Sequence, residues 1–441
     1  AICDQLEDPK QAKKLVKRGV TELVTPGVTY NDKVVETKQN NYLSAVFFNQ
    51  DFCGVAFFDI STGEAYLAQG SIEYVDKLLQ GLKPAEVLVS KNQRKKFEEF
   101  FGQKFNIYPL DEWVFGIDYA KEKLNNHFGT QTLKGFGIEH LELGIIASVA
   151  CFHYLFETHH PDVQHIKKIS RIDEDQYVWL DRFTIRNLEL INSPHEGGVS
   201  LLDILDQTIT PMGGRLLRKW LVLPLRNIPE ILERQNFAES LIQSSTILNQ
   251  ITKLLSTVGD LERLISKVAL KRVNPRELNQ LSKSLDQVIA IKELLIQSEI
   301  PTLTKYGNGL LDCTELRNKL KNTLSDDAPL LINKGNVIRE GIDSNLDELR
   351  KLAFSGKDFL LNLQKKESER TGISSLKIGF NNVFGYYLEV SNTHKNKVPQ
   401  EWIRKQTLVN AERYITEELK VYEEKILGAE SKIFEIEENL F

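Results

Sequence analysis

Residues 342–370 carry a long, charged helical pattern with Leu346, Leu349, Ala353, Leu360 and Leu363 on one face and Gly372 as its stop. A second such pattern occupies 415–441, where Ile415, Leu419, Tyr422, Ile426, Ile433, Ile436 and Leu440 follow one another at spacings of 4, 3, 4, 7, 3 and 4. That is a heptad-like seam, made to pack along another long helix. Between the two, residues 376–380 and 386–390 read as strands around a turn containing Asn381, Asn382 and Gly385, and 406–409 as a third extended stretch. Seams of this length must be covered, so the two helices are expected to pair lengthwise. The small sheet then rides at the far end of the arm.

The arm departs from the charge of the rest. The whole chain has a formal net charge of −5. Residues 330–415 hold 14 Lys/Arg against 10 Asp/Glu, and 371–410 hold five basic residues (Lys377, Lys395, Lys397, Arg404, Lys405) against two acidic ones. Phe380, Phe384, Tyr386, Tyr387 and Trp402 lie among them. A basic, aromatic-bearing tip suits a phosphate backbone, where Lys and Arg displace counterions and amides add hydrogen bonds. An ordinary solvated surface has the same composition.

At about 150 residues per domain, 441 residues make roughly three domains. A 41% apolar and 27% charged composition excludes wholesale disorder and collagen-like repetition. The longest nearly unbroken apolar run, 143–156, contains His153 and is shorter than a membrane span requires. With no signal peptide at its start, the chain is expected to be cytoplasmic. Cys3, Cys53, Cys151 and Cys313 form no CxxC pair, which points to neither zinc nor disulfides. The chain begins at Ala1, its one methionine is Met212, and the helical pattern runs to Phe441, so it reads as an internal piece of something longer.

Residues 1–40 are basic around 11–18, β-like at 21–25 and punctuated by Pro26-Gly27. Next come strand patterns at 42–49, 53–60 and 64–69, joined by connections short enough to force antiparallel neighbours. Helix and strand patterns then alternate (72–82, 86–89, 93–101, 105–108, 119–128), followed by a buried helix at 141–156. A mixed sheet covered by helices is the economical arrangement. From 161 to 325 the helical period prevails. Gly259-Asp260 caps a helix with Leu261, Leu264, Ile265 and Val268 as its apolar stripe. Asn274-Pro275 opens the next helix, striped by Leu278, Leu281, Leu285 and Val288.

Familiar catalytic signatures are missing: there is no GxxxxGK[ST], GxGxxG, HExxH or GxSxG. His153, His159, His160 and His165 fit no standard zinc spacing. A three-strand meander followed by helices resembles the RNase H-like architecture, whose nucleases hold two metals on carboxylates. Asp59, Glu64, Asp111 and Asp118 are the acids available, but none lies in the first strand, and Asp59-Ile-Ser-Thr-Gly63 reads as a turn.

Several long motifs carry a family resemblance. Leu-Leu-Asp-Ile-Leu-Asp-Gln-Thr-Ile-Thr-Pro-Met-Gly-Gly-Arg-Leu-Leu-Arg-Lys-Trp at 201–220 resembles the core signature of the MutS family of DNA mismatch recognition proteins. So do Gly-Asp-Leu-Glu-Arg-Leu-Ile-Ser-Lys-Val-Ala at 259–269 and Val-Asn-Pro-Arg-Glu-Leu at 273–278. The segments 376–387, 404–414 and 1–9, with Val-Thr-Pro-Gly at 24–27, are similar to the same family. The resemblance implies a multidomain α/β plus all-α chain. Residues 1–28 would be the end of a mismatch-binding domain, 29–40 a linker and 41–160 an RNase H-like connector without nuclease activity. A helical core and lever would take 161–327 and 416–441, with a clamp at 328–415 inserted between them. It also implies that the clamp grips double-stranded DNA through the phosphate backbone, with Lys377, Asn382, Arg404, Lys405, Gln406, Thr407 and Asn410 as the contacts. Val409 stands where several relatives carry a lysine. The implied partners are mismatched DNA, MutL and a second copy of the full-length protein. ATP and magnesium are implied for the full-length protein, with no cofactor, metal or enzymatic activity in this piece. A partner-docking scaffold without DNA binding of its own is the alternative.

Overall fold

The computed structural model describes residues 1–5, 15–29, 35–160, 163–381 and 385–441. The chain divides into two compact units: Ala1–Val273 with Gln280–Thr314, and Asn274–Asn279 with Glu315–Phe441. No helix among the described residues is long and apolar enough to cross a membrane.

The first unit opens with β1 (Ile2–Gln5) paired antiparallel to β2 (Arg18–Glu22). The expected β-like stretch at 21–25 is thus displaced toward the basic run, of which residues 11–14 lie outside the described residues. Next comes a meander, β3 (Leu43–Asn49), β4 (Phe52–Asp59) and β5 (Glu64–Ser71), then α1 (Ile72–Leu82), β6 (Glu86–Ser90), α2 (Arg94–Phe101), β7 (Ile107–Leu110), α3 (Ile117–Phe128) and α4 (Glu142–Glu157). The sheet runs β7-β6-β3-β4-β5-β8, where β8 (Ser170–Arg171) is a short parallel addition that the sequence pattern does not signal. β3 to β5 are antiparallel, as their short turns require, while β6 and β7 add in parallel through helical crossovers.

Alternation along the strands builds two cores. Ala45, Ala56, Phe58, Leu67 and Leu88 face α3 and α4, while Val46, Val55, Phe57, Val87 and Val89 face α1 and α2. Helix α4 comes so close to β4 that a Cβ on Gly54 would overlap the Leu143 carbonyl. Cys53 and Cys151 are both buried; burial pushes the Cys53 thiol up to about 12 and raises Cys151 well above its ordinary value. Both are packing residues.

Helices follow: α5 (Arg182–Asn187), α6 (Leu201–Leu205), α7 (Pro211–Val222), α8 (Ile228–Gln243), α9 (Ser245–Leu255), α10 (Leu261–Ala269), α11 (Pro275–Gln297), α12 (Pro301–Gly309) and α13 (Thr314–Thr323). The caps are those the sequence signals. Asp260 accepts from the Arg263 amide at 3.3 Å, and Asn274 and Glu277 exchange bonds of 3.0 Å in a reciprocal box. The apolar stripe of α10 is a correction: Ile265 is 47% exposed, and the buried positions are Arg263, Leu264 and Ser266.

In the second unit α14 (Ser344–Thr371) starts at the Asp343 cap and ends at Gly372, whose φ of 65° is the left-handed stop. Four antiparallel strands follow, β9 (Lys377–Asn381), β10 (Gly385–Ser391), β11 (Ile403–Thr407) and β12 (Ala411–Ile415), and α15 (Glu417–Leu440) returns. The two helices lie side by side and antiparallel. Lys366 pairs with Glu418 at 3.0 Å, Phe359 stacks on Tyr422 with centroids 4.7 Å apart, and Arg350 meets Glu437. Leu346, Leu363 and Leu419 are buried as the seam demands. At the base the seam shifts by one position: Ile436 is half-buried and Leu440 exposed, while Glu437 is fully buried.

Gly54→Ala is expected to destabilise the first unit by about 1–3 kcal/mol, because strand and helix must be pushed apart. Urea denaturation followed by circular dichroism measures it. An unchanged midpoint would show that α4 is free to recede.

Candidate nucleic-acid interface

The tip sheet has the order β11-β12-β10-β9. Leu388, Val390 and Tyr414 point to its core and pack with Leu363, Ile373, Leu376, Trp402, Leu419 and Tyr422 from the arm and loops. The sequence pattern does not signal β12. Its inward positions are Glu412 and Tyr414, so the apolar alternation that marks a strand is broken by an acid.

Glu412 is the hub of the tip. It is 2% exposed and receives Lys395 at 2.6 Å, Arg404 at 3.3 Å and the Tyr414 hydroxyl. Hydrogen bonds from Lys395 and then Tyr414 hold its carboxyl below the usual glutamate range. Burial, with Glu412 beside it, pushes the Tyr414 phenol up to about 12. On the opposite face the register aligns Lys377, Glu389, Arg413 and Gln406 in one row across four strands. Arg413 lies over the Tyr387 ring at 4.2 Å, donates to Glu389 at 3.0 Å and to Gln406 at 2.9 Å. A tyrosine ring also fills the space beside Gly379, where a Cβ would sit 2.7 Å from the Tyr387 hydroxyl.

The expected contact residues divide accordingly. Arg404, Lys405, Gln406 and Thr407 share the edge strand β11, and Asn410 sits in the turn after it. Lys377 lies on the other edge, three strands away, or about 14 Å at ordinary strand spacing. Asn382 and the aromatic Phe384 lie outside the described residues. Lys405 occupies a bulge between Arg404 and Gln406, exposed and with no ion-pair partner among the described residues. Gln406 is occupied by Arg413. Val409 is 92% exposed at the turn, which is held by bonds from Asn392 to the carbonyls of Val409 (2.9 Å) and Asn410 (3.2 Å). Lys395 and Arg413 were not among the expected contacts. Both are basic, but only the fold brings them to Glu412 and to the sheet face. From Gly372 to Ile415 six basic side chains meet three carboxylates, so a positive surplus survives the pairing.

Three of the four acids named above, Asp59, Glu64 and Asp111, are engaged in structure. Asp59 is fully buried and accepts from Ser61 at 2.7 Å, Asn40 at 2.8 Å and the Asn41 amide at 3.1 Å. Glu64 receives Lys219 at 2.7 Å, with Tyr42 and Tyr66 beside it. Burial works against the Lys219 ammonium, yet Glu64 and Tyr66 hold its pKa above the ordinary lysine value. Asp111 pairs with Lys91. His153 bonds Tyr119 at 3.1 Å and Glu157 at 3.2 Å, and among the described residues no group of three or more His, Cys, Asp or Glu could hold a metal.

Glu412 binds its partners as an anion, so its contribution is present above the ordinary glutamate pKa and lost as pH falls through its lowered value. Thermal melts of this chain from pH 7 to 3 are expected to lose stability in that acid window. Glu412→Gln starts lower at pH 7 and falls less steeply. Parallel curves would remove Glu412 as the tip's anchor.

Known proteins bear on this geometry. Residues 1–33 match MutS domain I, 41–167 MutS domain II and 183–437 MutS domain III. The chain is 57% identical over all its 441 residues to a protein of Christiangramia forsetii named DNA mismatch repair protein MutS, covering 51% of that protein. Proteins of the same name from Cytophaga hutchinsonii (55% over 438 residues, 99% of this chain) and Flavobacterium johnsoniae (56% over 441 residues, 100% of this chain) are also covered to 51%. The chain therefore spans about half the length of the curated relatives it matches.

Proposed function

Because this chain belongs to the MutS family, we propose that it is the clamp-bearing, non-catalytic part of a DNA mismatch repair protein, and that its β tip holds duplex DNA by the phosphate backbone without reading sequence. The observation that carries this is the tip itself: a basic four-stranded sheet at the end of two paired helices, with Lys405 unpaired among the described residues on a bulged edge. Arg404, Thr407 and Asn410 flank that lysine. Lys377 contributes from the opposite edge, and Gln406 and Asn382 complete the set. Phosphate contacts of this kind position a protein on DNA and carry no sequence information.

The remaining assignments follow the family. The α/β layer, read as RNase H-like, serves as connector and docks MutL. Its exposed aromatic side chains, Tyr108, Trp113 and Phe156, suit a protein partner. Residues 1–28, 29–40, 41–160, 161–327 with 416–441, and 328–415 act as the end of the mismatch-binding domain, linker, connector, core with lever, and clamp. The long helices relay the nucleotide state of an ATPase domain as rigid elements. ATP and magnesium bind the full-length protein in that domain, which also dimerises, and the protein works in the cytoplasm. Residues 1–441 hold no GxxxxGK[ST] motif, in keeping with the non-catalytic role proposed for them.

Fluorescence anisotropy with a labelled duplex at low salt tests the tip. Binding near 10⁻⁴–10⁻⁶ M is expected (roughly, the non-specific range), weakening steeply with salt. Lys405→Ala and Arg404→Ala each lower the affinity and reduce the logarithmic salt slope by about 1. Val409→Lys acts in the opposite direction, steepening the slope by about the same amount. Unchanged affinity in all three variants would leave the tip without a role in DNA binding.

A further inference from the structure

Residues 35–40 join the N-terminal segment to β3, and a segment of this kind normally hangs free. Here it is gripped. Arg215 on α7 donates to the Thr37 carbonyl at 2.8 Å, and Arg263 on α10 donates to the Glu36 and Gln39 carbonyls at 3.1 and 3.0 Å. Both arginines are buried. Arg215 is fixed in turn by a fork to Asp260, 2.7 Å at each oxygen, and by Glu262 at 2.6 Å. Lys38 lays its stem across Gly214, where a Cβ would stand 2.7 to 2.8 Å from its methylenes, and its ammonium reaches Asp206 at 3.0 Å and the Thr208 carbonyl at 2.9 Å. On the sheet side Asn40 bonds Asp59 and Glu64 at 2.8 and 3.0 Å.

Apart from the Lys38 stem on Gly214 these contacts are polar, and neither apolar cluster on the faces of the sheet includes a residue of α10. An apolar joint resists opening in proportion to its area. A joint of directed hydrogen bonds and paired charges opens as a unit, with its groups returned to water, and it is held by geometry more than by net free energy. We propose that residues 36–40 form a strap latched by Arg215 and Arg263, and that this latch is the joint at which helix α10 parts from the α/β layer. It explains the glycine immediately ahead of Arg215: Gly214 is the seat of the strap. The latch rests on this chain's own contacts and stands whether or not the tip binds DNA.

Amide hydrogen exchange of this chain tests it. The Gln39 amide bonds the Glu36 carbonyl at 3.2 Å and the Asn41 amide bonds Asp59 at 3.1 Å, so both are expected to be protected. Arg263→Ala is expected to speed their exchange at least tenfold together with that of α10, leaving β3 and β4 unchanged. Gly214→Ala is a mild change in a helix but fills the seat, and it is expected to do the same; if Arg263→Ala fails to fold, it decides alone. Free-peptide exchange at Gln39 and Asn41 in the unaltered chain would overturn the proposal. So would unchanged exchange in Gly214→Ala, or a faster strap with no response in α10.

Discussion

Buried carboxylates tie this chain together. Glu86, Glu412 and Glu437 are 6%, 2% and 0% exposed, and each accepts from more than one group. Glu86 takes the Thr25 hydroxyl at 2.6 Å, the Gly27 amide at 3.0 Å and the Tyr154 hydroxyl at 2.9 Å, pinning the N-terminal segment against the sheet. Glu437 takes the Val337 amide at 3.1 Å and Arg350 on one oxygen, Oε1, closing the base of the helical pair, while its Oε2 is buried with no hydrogen-bond partner among the described residues. An ionised group out of water is costly unless its oxygens are used, and removing one partner strands the other. The folded arrangement is therefore specified at these points more sharply than apolar packing alone would specify it.

Between those ties the architecture is conventional. A mixed sheet buries both faces under helices, and an antiparallel helix pair carries a small sheet whose core is continuous with the helix seam. The stacked Phe359 and Tyr422 sit where arm becomes tip, so the last turns of the arm and the first strands share side chains. That continuity is the physical basis for treating the arm as a rigid transmitter, since close-packed elements pass displacement on without absorbing it.

The elements were legible because their signals are local. Asp260, Asn274-Pro275 and Gly372 mark helix ends by chemistry confined to a few residues, and the meander's turns forced its pairing. The strand Ala411–Ile415 was hidden because Glu412 occupies an inward place that only Lys395, Arg404 and Tyr414 make tolerable. Helix α10 misled for the same reason in reverse: its leucines and isoleucine advertise a core stripe, yet Arg263 takes the buried place because carbonyls more than two hundred residues upstream await it. The candidate contacts in β11 follow from local basicity. Their separation from Lys377 follows from strand order, which no local pattern encodes.

The bulge at Lys405 has a consequence beyond any ligand. β11 is an outer strand of the tip, and an outer strand with evenly spaced amides and carbonyls invites another molecule's strand to continue the sheet. One surplus residue, bearing a charge, spoils that spacing and twists the rim away. The tip is thereby guarded against polymerising edge to edge when many copies crowd together.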